Sequence, residues 1–347
     1  MEKITIGIRA DGSAAIGMGH LMRCLSIAIA LKEQQAEVIF ITRNEQSKAF
    51  IIEKGFGCKL FQKQYESMEN ETAELISILK EHQIQLLLVD SYYATETYLA
   101  IIKAYVPVFY MDDLGRMNLP VSGLINYNIY GQYMAYEQQY SPQTELILGP
   151  EYAPIKPEFL AVSYDVRERV TDILVTMGGS DALNIAGTLG EALLETLPQD
   201  VNITVICGRF SPHLDKVKKL ELSDSRVCVL TDVTDMWNQM AKSDLAIAAA
   251  GSTMYELCTI GVPAICCYYV ENQRRMAECF GKETSMLNAG DYSKEPDEVL
   301  ELILQEVSSL IKDYELRKRL SAEMKALLDG KGAKRIAEKL CKIVETK

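Results

Sequence analysis

The chain alternates between short apolar runs of strand length and longer segments in which apolar residues recur at helical spacing. The first such pair is "ITIGI", followed by a helical pattern over residues 21–32. Later runs such as "AEVIFIT", "IQLLLVD" and "VPVFYMDD" are almost wholly apolar, as in strands buried on both faces of a parallel sheet. Strands that alternate with helices predict an α/β fold.

A proline-rich segment, "LGPEYAPIKPEFL", divides this series, and a second strand–helix series begins at "TDILVTMGG". The tail from Pro296 has the pattern of two charged amphipathic helices. We predict four segments: an N-terminal domain at 1–150, a linker at 151–168, a C-terminal domain at 169–330 and a C-terminal helix at 331–347. Ligands of doubly wound sheets bind beyond the carboxyl ends of the strands, so two such domains facing each other predict a central cleft.

Composition narrows the class of protein. The 347 residues are 48% hydrophobic, enough for two cores, and the net charge of −12 without a basic run argues against nucleic-acid binding. No apolar stretch has the length of a membrane span, and the N-terminus reads as a strand, so we predict a cytoplasmic protein. Nine cysteines without a CxxC pair indicate reduced thiols, and three scattered histidines predict no metal site.

The sequence "GMGH" lies where the first predicted strand gives way to the first helix. Gly17 and Gly19 leave room for a ligand beside the main chain, and the helix that follows has a positive N-terminal end suited to an anion. Imidazole exchanges protons near neutral pH, so His20 is a candidate general base. The alternative is an ordinary capping or core histidine. The spacing lacks the third glycine of a dinucleotide fingerprint.

Polar side chains follow several strands of the predicted N-terminal sheet. They are Arg9 and Asp11 after the first strand, then Asp90 with Tyr92, Asp112 with Asp113, and Asn126 with Asn128. Because carboxyl ends of parallel strands share one edge of the sheet, we expect a polar rim that binds the hydroxyl or amide groups of a sugar. The alternatives are a surface ion pair for the first two residues and helix or turn caps for the others.

Two further glycine turns precede helices in the C-terminal domain. In "VTMGGSDALN", main-chain N–H groups at Gly179 and the hydroxyl of Ser180 could hold a phosphate, although a tight turn capped by Ser180 or Asp181 fits equally. The absence of GKS or GKT argues against a Walker NTPase.

The second turn lies in "AAAGSTMYELCTIGVPAICCYYVENQ". Gly251, Ser252 and Thr253 begin a helix, and Glu256 follows one turn later, where a carboxylate could accept hydrogen bonds from ribose. The next strand leads to Asn272 and Gln273 at the same rim. The alternative is a capping box in which Ser252 pairs with Glu256.

These C-terminal motifs resemble the nucleotide-binding domain of MurG-like, GT-B nucleotide-sugar glycosyltransferases. The N-terminal "RADGSAAIGMGHLMRCLSIA", with "VDSYY", "MDDLGR", "LINYN", "ILGPEYAPIKPEF" and "GGSDALN", is similar to the UDP-sugar hydrolases of pseudaminic acid biosynthesis, which are related to a spore-coat polysaccharide protein. The similarity extends from about Ile4 to Gln273.

The resemblance implies a GT-B-like fold, two doubly wound Rossmann-like domains around a cleft, with no metal and no cofactor. The implied substrate is UDP-2,4-diacetamido-2,4,6-trideoxy-β-L-altropyranose. Water would displace UDP at the anomeric carbon and release the free sugar for nonulosonic acid synthesis. With nucleotide on one domain and water on the other, domain closure would form part of catalysis.

The resemblance also implies roles for individual residues. The family's catalytic histidine falls on His20, and its strand-end tyrosine falls on Tyr92, with Tyr93 as the alternative. The remaining implied positions are Gly179, Ser180, Ser252 and Thr253 for the diphosphate, Glu256 for ribose, and Asn272 for the asparagine of an Asn-Gln pair.

Two positions depart from the family pattern. Ala250 replaces the first of two glycines, and would be strained if that backbone needed a positive φ. Tyr127 replaces a residue that is more often Gln, so the sugar pocket would differ. The expected partner is a UDP-linked amino sugar, bound by a monomer or weak oligomer.

Three other functions compete with the hydrolase. A GT-B glycosyltransferase would use His20 on an acceptor hydroxyl instead of water. A non-catalytic UDP-sugar-binding protein would bind without turnover. A UDP-sugar 2-epimerase shares the fold, but the chain offers less support for its acid–base residues.

Overall fold

The computed structural model describes residues 3–12, 18–179, 181–208 and 211–346. The chain divides into two compact units, Met1–Ile155 together with Lys331–Lys347, and Lys156–Gly330. The C-terminal segment, which the sequence pattern sets apart as a separate helix, therefore belongs to the first unit.

In its described part, the first unit contains a fully parallel seven-stranded sheet and flanking helices. The strands are β1 (Thr5–Ala10), β2 (Glu37–Thr42), β3 (Gly57–Leu60), β4 (Leu86–Asp90), β5 (Val108–Met111), β6 (Gly123–Asn126) and β7 (Glu145–Leu148). The helices are α1 (Gly19–Glu33), α2 (Glu45–Glu53), α3 (Met68–Glu81), α4 (Glu96–Lys103) and the short α5 (Tyr136–Gln139).

The strand order β3-β2-β1-β4-β5-β6-β7 reverses direction between β1 and β4. Both strands are buried along their whole length, which explains their nearly unbroken apolar sequences. The reversal creates a topological switch point, and ligands of open parallel sheets bind outside the carboxyl ends of the strands at such a point.

The second unit repeats the architecture with six parallel strands in its described part. They are β8 (Asp172–Thr176), β9 (Asn202–Cys207), β10 (Val227–Thr231), β11 (Leu245–Ala249), β12 (Ala264–Tyr268) and β13 (Asn288–Asp291), in the order β10-β9-β8-β11-β12-β13. Its switch point lies between β8 and β11. The helices are α6 (Pro157–Leu160), α7 (Ile185–Thr196), α8 (Leu214–Ser223), α9 (Met236–Lys242), α10 (Thr253–Ile260), α11 (Glu271–Glu283), α12 (Pro296–Lys312) and α13 (Tyr314–Leu327).

The final helix, α14 (Gly332–Glu345), packs against α1 of the first unit. The prediction of two helices after Pro296 was wrong, because the described tail contains three. Asp313 separates the first two by accepting a 2.9 Å hydrogen bond from the main-chain N–H of Leu316, which caps the second helix. Among the described helices, none combines the length and apolar character that a membrane crossing requires.

All nine cysteines fall within the described residues, and each is a free thiol. Cys228 is the exposed one, whereas Cys24, Cys207, Cys258, Cys266, Cys267 and Cys341 are buried. Free cysteine is commonly buried as a small apolar side chain, so we interpret most of these thiols as packing groups of the core.

Candidate functional site

The switch point of the first sheet brings His20 and Asp90 together. Ala10 and Asp90 are paired at the ends of β1 and β4, and α1 begins beside them with Gly19 and His20. The imidazole Nδ1 lies 2.6 Å from Asp90 Oδ1, and both side chains are buried. A Cβ at Gly19 would meet open space. Gly17, the other predicted glycine, lies outside the described residues.

Arg23 completes this cluster and was missed by the sequence reasoning. Its guanidinium makes a bidentate contact with Asp90, in which Nε donates to Oδ2 at 2.6 Å and Nη2 donates to Oδ1 at 2.6 Å. Its Nη1 donates to Asp113 Oδ2 at 2.7 Å and to the hydroxyl of Tyr127 at 3.1 Å. The signal that could have found it is the spacing to His20, because residues three apart share a helix face.

The charge state of Asp90 follows from these contacts. Burial by itself would raise the pKa of Asp90, but the Arg23 guanidinium and the hydrogen bonds from Arg23 and His20 hold it well below its usual range. An ionised carboxylate only accepts hydrogen bonds, so the proton between the two side chains is on Nδ1 of His20. In the neutral imidazole this leaves Nε2 as the proton acceptor.

Tyr92 lies against the imidazole of His20. The two rings meet edge to face, with centroids 4.5 Å apart at 81°. The Tyr92 hydroxyl donates to Asp113 Oδ2 at 3.2 Å, and burial, followed by the Asp113 charge, raises the pKa of Tyr92 well above its usual range. The phenol is therefore a hydrogen-bond donor at neutral pH. Tyr93, the alternative at this strand end, is 64% exposed.

The remaining strand-end side chains form a buried network. Asn128 Nδ2 donates to Asn126 Oδ1 at 2.9 Å and to Asp113 Oδ1 at 3.2 Å. Asn126 Nδ2 donates to the Tyr136 hydroxyl at 2.9 Å, which donates to Asp112 at 2.7 Å. Asp112 also accepts three main-chain N–H groups of the following turn, as the capping alternative describes. These contacts hold the strand-end side chains in fixed positions, and Asn126 lies in the interior of the network.

Arg9, within β1, and Asp11, just after it, lie in a second buried cluster. Arg9 is fully buried and donates to Glu71 through Nε at 2.7 Å and to Asp11 through Nη1 at 2.6 Å. Arg43 and Tyr98 also donate to Glu71. The geometry is that of the ion-pair alternative, although internal rather than on the surface. A role of Arg9 and Asp11 in substrate binding stays a prediction.

In the second unit, the turns after β8 and β11 lie at the switch point. A Cβ added at Gly178, Gly179 or Gly251 would meet open space, so the main chain there is accessible to a ligand. Gly208, after β9, is different, because a Cβ there would lie 2.2 Å from the main-chain oxygen of Gly179. The Gly178–Gly179 turn therefore packs directly on neighbouring backbone. Ser180 lies outside the described residues.

The N-terminus of α7 already has an anionic partner. The Asp181 carboxylate accepts from the main-chain N–H of Ile185 at 2.8 Å and of Ala186 at 3.0 Å. Burial raises the pKa of Asp181, and those two hydrogen bonds act in the opposite direction. Asp181 is therefore the cap of α7, as the capping alternative predicts. The Gly178–Gly179 turn is the part of this loop that remains accessible to a phosphate.

The N-terminus of α10 has no such partner in the described residues. Ser252 is exposed and makes no side-chain cap hydrogen bond, so the capping box with Glu256 is not formed. The main chain at Ala250 does not take a positive φ, which removes the expected strain of alanine there. An uncapped helix end beside an open glycine turn suits an anionic group.

Glu256 lies one turn into α10 and is half-buried. Burial raises its pKa from 4.5 to about 7, with nearby Lys156 acting in the opposite direction. Its carboxyl group forms no hydrogen bond or ion pair with the described residues. A desolvated carboxylate without a partner is suited to accept hydrogen bonds from hydroxyl groups of a ligand.

The raised pKa of Glu256 predicts a pH-dependent stability. Because the folded pKa lies above the unfolded value, the stability contributed by Glu256 is full below about pH 4.5 and is lost as pH rises through about 7. Relative to Glu256→Gln, the wild-type free energy of unfolding should fall by on the order of 2 kcal/mol between pH 5 and pH 8. Urea denaturation across this range measures it. Glu298→Gln, at an exposed position of α12, is the control, and a pH-independent difference for Glu256→Gln would contradict the expectation.

Asn272 and Gln273 lie in the first turn of α11, after β12. Gln273 Oε1 accepts from the main-chain N–H of Tyr269 at 3.2 Å, so this side chain shapes the loop that leads into the helix. The Tyr269 hydroxyl donates to the main-chain oxygen of Met177 at 2.8 Å and ties this loop to the end of β8. Asn272 is exposed, and its contact with a ligand stays a prediction.

Comparison with known proteins finds similarity to one domain family and to two proteins that match most of the chain. Residues 172–339 match the family model for the glycosyltransferase family 28 C-terminal domain. The chain is 29% identical over 339 residues to the spore coat polysaccharide biosynthesis protein SpsG of Bacillus subtilis. The aligned region covers 95% of this chain and 96% of SpsG. It is 27% identical over 280 residues to the UDP-2,4-diacetamido-2,4,6-trideoxy-beta-L-altropyranose hydrolase of Campylobacter jejuni, which covers 79% of this chain and 95% of that one.

Among solved structures, the chain is similar to MurG from Acinetobacter baumannii, with a TM-score of 0.73 and 14% sequence identity over 98% of this chain and 99% of that one. At this identity the likeness concerns the fold. The prediction of an α/β, GT-B-like fold built from two Rossmann-like domains with parallel sheets is confirmed.

Proposed function

We propose that this protein is a cytoplasmic UDP-sugar hydrolase that releases UDP and a free amino sugar by attack of water at the anomeric carbon. The second unit would bind the nucleotide, and the first unit would supply the base. The observation that carries the proposal is the His20–Asp90 pair at the switch point of the first sheet, with the contact at 2.6 Å.

The proposed substrate is the one named for the relative in Campylobacter jejuni, UDP-2,4-diacetamido-2,4,6-trideoxy-beta-L-altropyranose. Asp113, whose side chain is partly exposed and is held by the buried Asn126–Asn128 pair, would accept hydrogen bonds from the acetamido N–H groups of such a sugar. The released sugar would then enter nonulosonic acid synthesis.

The proton chemistry rests on Nε2 of His20. With Nδ1 protonated toward Asp90, Nε2 takes a proton from the attacking water as its oxygen bonds to the anomeric carbon. The bond between that carbon and the diphosphate oxygen breaks, and UDP leaves with the electron pair. The Tyr92 hydroxyl, which donates to Asp113, would accept a hydrogen bond from the sugar or the water.

The second unit would stabilise the leaving diphosphate. The uncapped N-terminus of α10, with Gly251, Ser252 and Thr253, presents N–H and hydroxyl donors to the growing negative charge. The Gly178–Gly179 turn and Ser180 would add donors to the same phosphates. Glu256 would accept hydrogen bonds from ribose, and Asn272 and Gln273 would line the rim.

A glycosyltransferase that uses a UDP-sugar donor is the second candidate. The match of residues 172–339 to a glycosyltransferase domain favours it, because donor binding would be the same in both reactions. The difference would lie in the first unit, where an acceptor hydroxyl would replace water beside His20. A non-catalytic UDP-sugar-binding protein would share the second unit but lack turnover.

The test is incubation of the purified full chain with the UDP-trideoxy-diacetamido sugar in EDTA and H₂¹⁸O, with UDP and sugar analysed by mass spectrometry. We expect release of UDP at a constant rate, with the heavy oxygen in the sugar and none in UDP. UDP-N-acetylglucosamine is the matched control substrate and should react more slowly, because it lacks the second acetamido group.

Other outcomes contradict specific parts of the proposal. Heavy oxygen in UDP would place the attack at phosphorus. Release that EDTA abolishes would contradict a metal-independent reaction. Tight binding of UDP without release would contradict hydrolysis and favour a transferase without its acceptor, or a binding protein.

A further inference from the structure

Arg23 supplies the one cationic group that contacts the Asp90 carboxylate in the described structure, and the other basic neighbour of Asp90 is the imidazole of His20. Two parallel hydrogen bonds of 2.6 Å join the guanidinium to both carboxylate oxygens. The Asp90 side chain is fully buried, and that of Arg23 is 10% exposed. A paired fork of this kind is among the strongest hydrogen-bonded contacts in proteins.

The contact reaches His20 through a shared atom. Asp90 Oδ1 accepts from Arg23 Nη2 and is also the oxygen 2.6 Å from His20 Nδ1, and these two nitrogens lie 3.1 Å apart. Both nitrogens therefore donate to one oxygen. The arrangement favours a negative carboxylate, because a forked guanidinium pairs best with an ionised carboxylate and a protonated carboxyl group would give up one of these acceptor sites.

Removal of Arg23 would leave a buried carboxylate whose one basic neighbour among the described residues is the imidazole. An uncompensated charge at such a site is costly, so the pair would reorganise in one of two ways. Asp90 would become neutral and donate to Nδ1, which moves the imidazole proton to Nε2. Otherwise His20 would become an imidazolium paired with Asp90. Nε2 carries a proton in both cases and has no capacity left to act as a base.

We infer that Arg23 is a positioning residue that keeps Asp90 ionised and thereby holds His20 in the tautomer whose free nitrogen is Nε2. The inference deepens the proposed function, since it assigns the group that makes His20 a base. The fixed charge of arginine matters here, because the guanidinium stays protonated at every physiological pH.

The other groups around the cluster do not replace this charge. Asp113, after β5, carries a second negative charge, and its Oδ2 accepts a hydrogen bond from Arg23 Nη1 at 2.7 Å. Tyr127, after β6, and Tyr92, after β4, are phenols whose pKa values burial raises. Cys24, on α1, donates to Asp90 Oδ2 at 3.5 Å, and burial also raises the pKa of its thiol. Only Arg23 supplies positive charge among these groups.

The direct test is the tautomer of His20, measured by ¹⁵N NMR of the full chain labelled in histidine at pH 8. The chain contains only three histidines, so His82 and His213 serve as internal references, and His20→Asn assigns the remaining signals. In the wild type we expect Nδ1 protonated and Nε2 bare. In Arg23→Met we expect a protonated Nε2, with the two reference histidines unchanged.

Three variants separate charge from general destabilisation. Arg23→Lys keeps the charge without the fork and should restore a bare Nε2 in most molecules. Arg43→Met removes a guanidinium from the other buried cluster, which leaves the His20 tautomer unchanged. If Arg23→Met fails to fold, Arg23→Gln retains donors without charge and carries the same expectation.

Activity supplies the second readout. Arg23→Met should release UDP at least about 100-fold more slowly, with KM nearly unchanged, because the loss concerns the base and not substrate contacts. A bare Nε2 in both Arg23→Met and Arg23→Gln would overturn the inference. Absence of UDP release by the wild type would overturn the proposed function instead, while the tautomer would still decide the role of Arg23.

Discussion

The variant His20→Asn is expected to release UDP about 10²- to 10⁴-fold more slowly than the wild type while it binds UDP with unchanged affinity. Asparagine fills part of the same space but cannot take a proton from water at neutral pH. The imidazole belongs to the first unit, whereas the proposed nucleotide contacts belong to the second. The measurements are steady-state release of UDP and calorimetric titration with UDP.

Asparagine at position 20 could also disturb the fold, so the control must be a histidine of the same unit. His82→Asn changes the residue that directly follows α3 and should leave both release and binding near wild-type values. Thermal unfolding of both variants monitors stability. Equal release by His20→Asn and the wild type would remove His20 from the role of base, whatever the other side chains of the rim do.

The variant Gly251→Val is expected to weaken UDP binding by at least 100-fold, equivalent to about 2.7 kcal/mol. A Cβ at Gly251 points into open space beside the uncapped start of α10, which is the space that the proposal assigns to the diphosphate. The valine side chain would occupy it and block the approach of phosphate to main-chain N–H groups. Titration with UDP measures the loss.

The same open space means that the fold should tolerate the change. We expect the free energy of unfolding of Gly251→Val to stay within about 1 kcal/mol of the wild type, because an added Cβ has no neighbouring atom within 4 Å. Gly57→Val, on β3 of the first unit, is the matched control, since it also places valine in uncrowded space. Unchanged UDP affinity in Gly251→Val would show that this turn does not hold the diphosphate.

These two variants separate the proposed halves of the mechanism. His20→Asn should lower the rate without a change in binding, whereas Gly251→Val should lower binding first. A transferase would give the same pair of results with its acceptor present and no release in water alone. The acceptor requirement, not the variants, therefore distinguishes the two candidate functions.

The sequence allowed the prediction of much of the fold because its signals are local. Strands that are buried on both faces of a parallel sheet have nearly continuous apolar sequences, and β1 and β4 are examples. The helix predicted to begin at Gly251–Thr253 corresponds to α10. The tail was less accurate, because the break at Asp313 depends on one side-chain cap that a periodic pattern does not reveal.

The candidate site was predictable in part for the same reason. Glycine turns before helices pointed to the loops at Gly179 and Gly251, and "GMGH" pointed to His20. The partner of His20 was named only as one of several strand-end carboxylates. Arg23 was not named at all, since its spacing from His20 indicates a shared helix face but not that the carboxylate at the end of β4 lies beside that face.

Sequence by itself thus determined the order of strands and helices, the α/β class and the loops in which chemistry could lie. Tertiary structure decided which polar residues act together: it joined Asp90 to His20 and Arg23, placed Arg9 with Glu71 in a separate buried cluster, and left the start of α10 without a cap. The physical reason is range. Backbone preferences and hydrophobic periodicity act over a few neighbouring residues, whereas burial and ion pairing act between residues that only the folded sheet brings within hydrogen-bond distance.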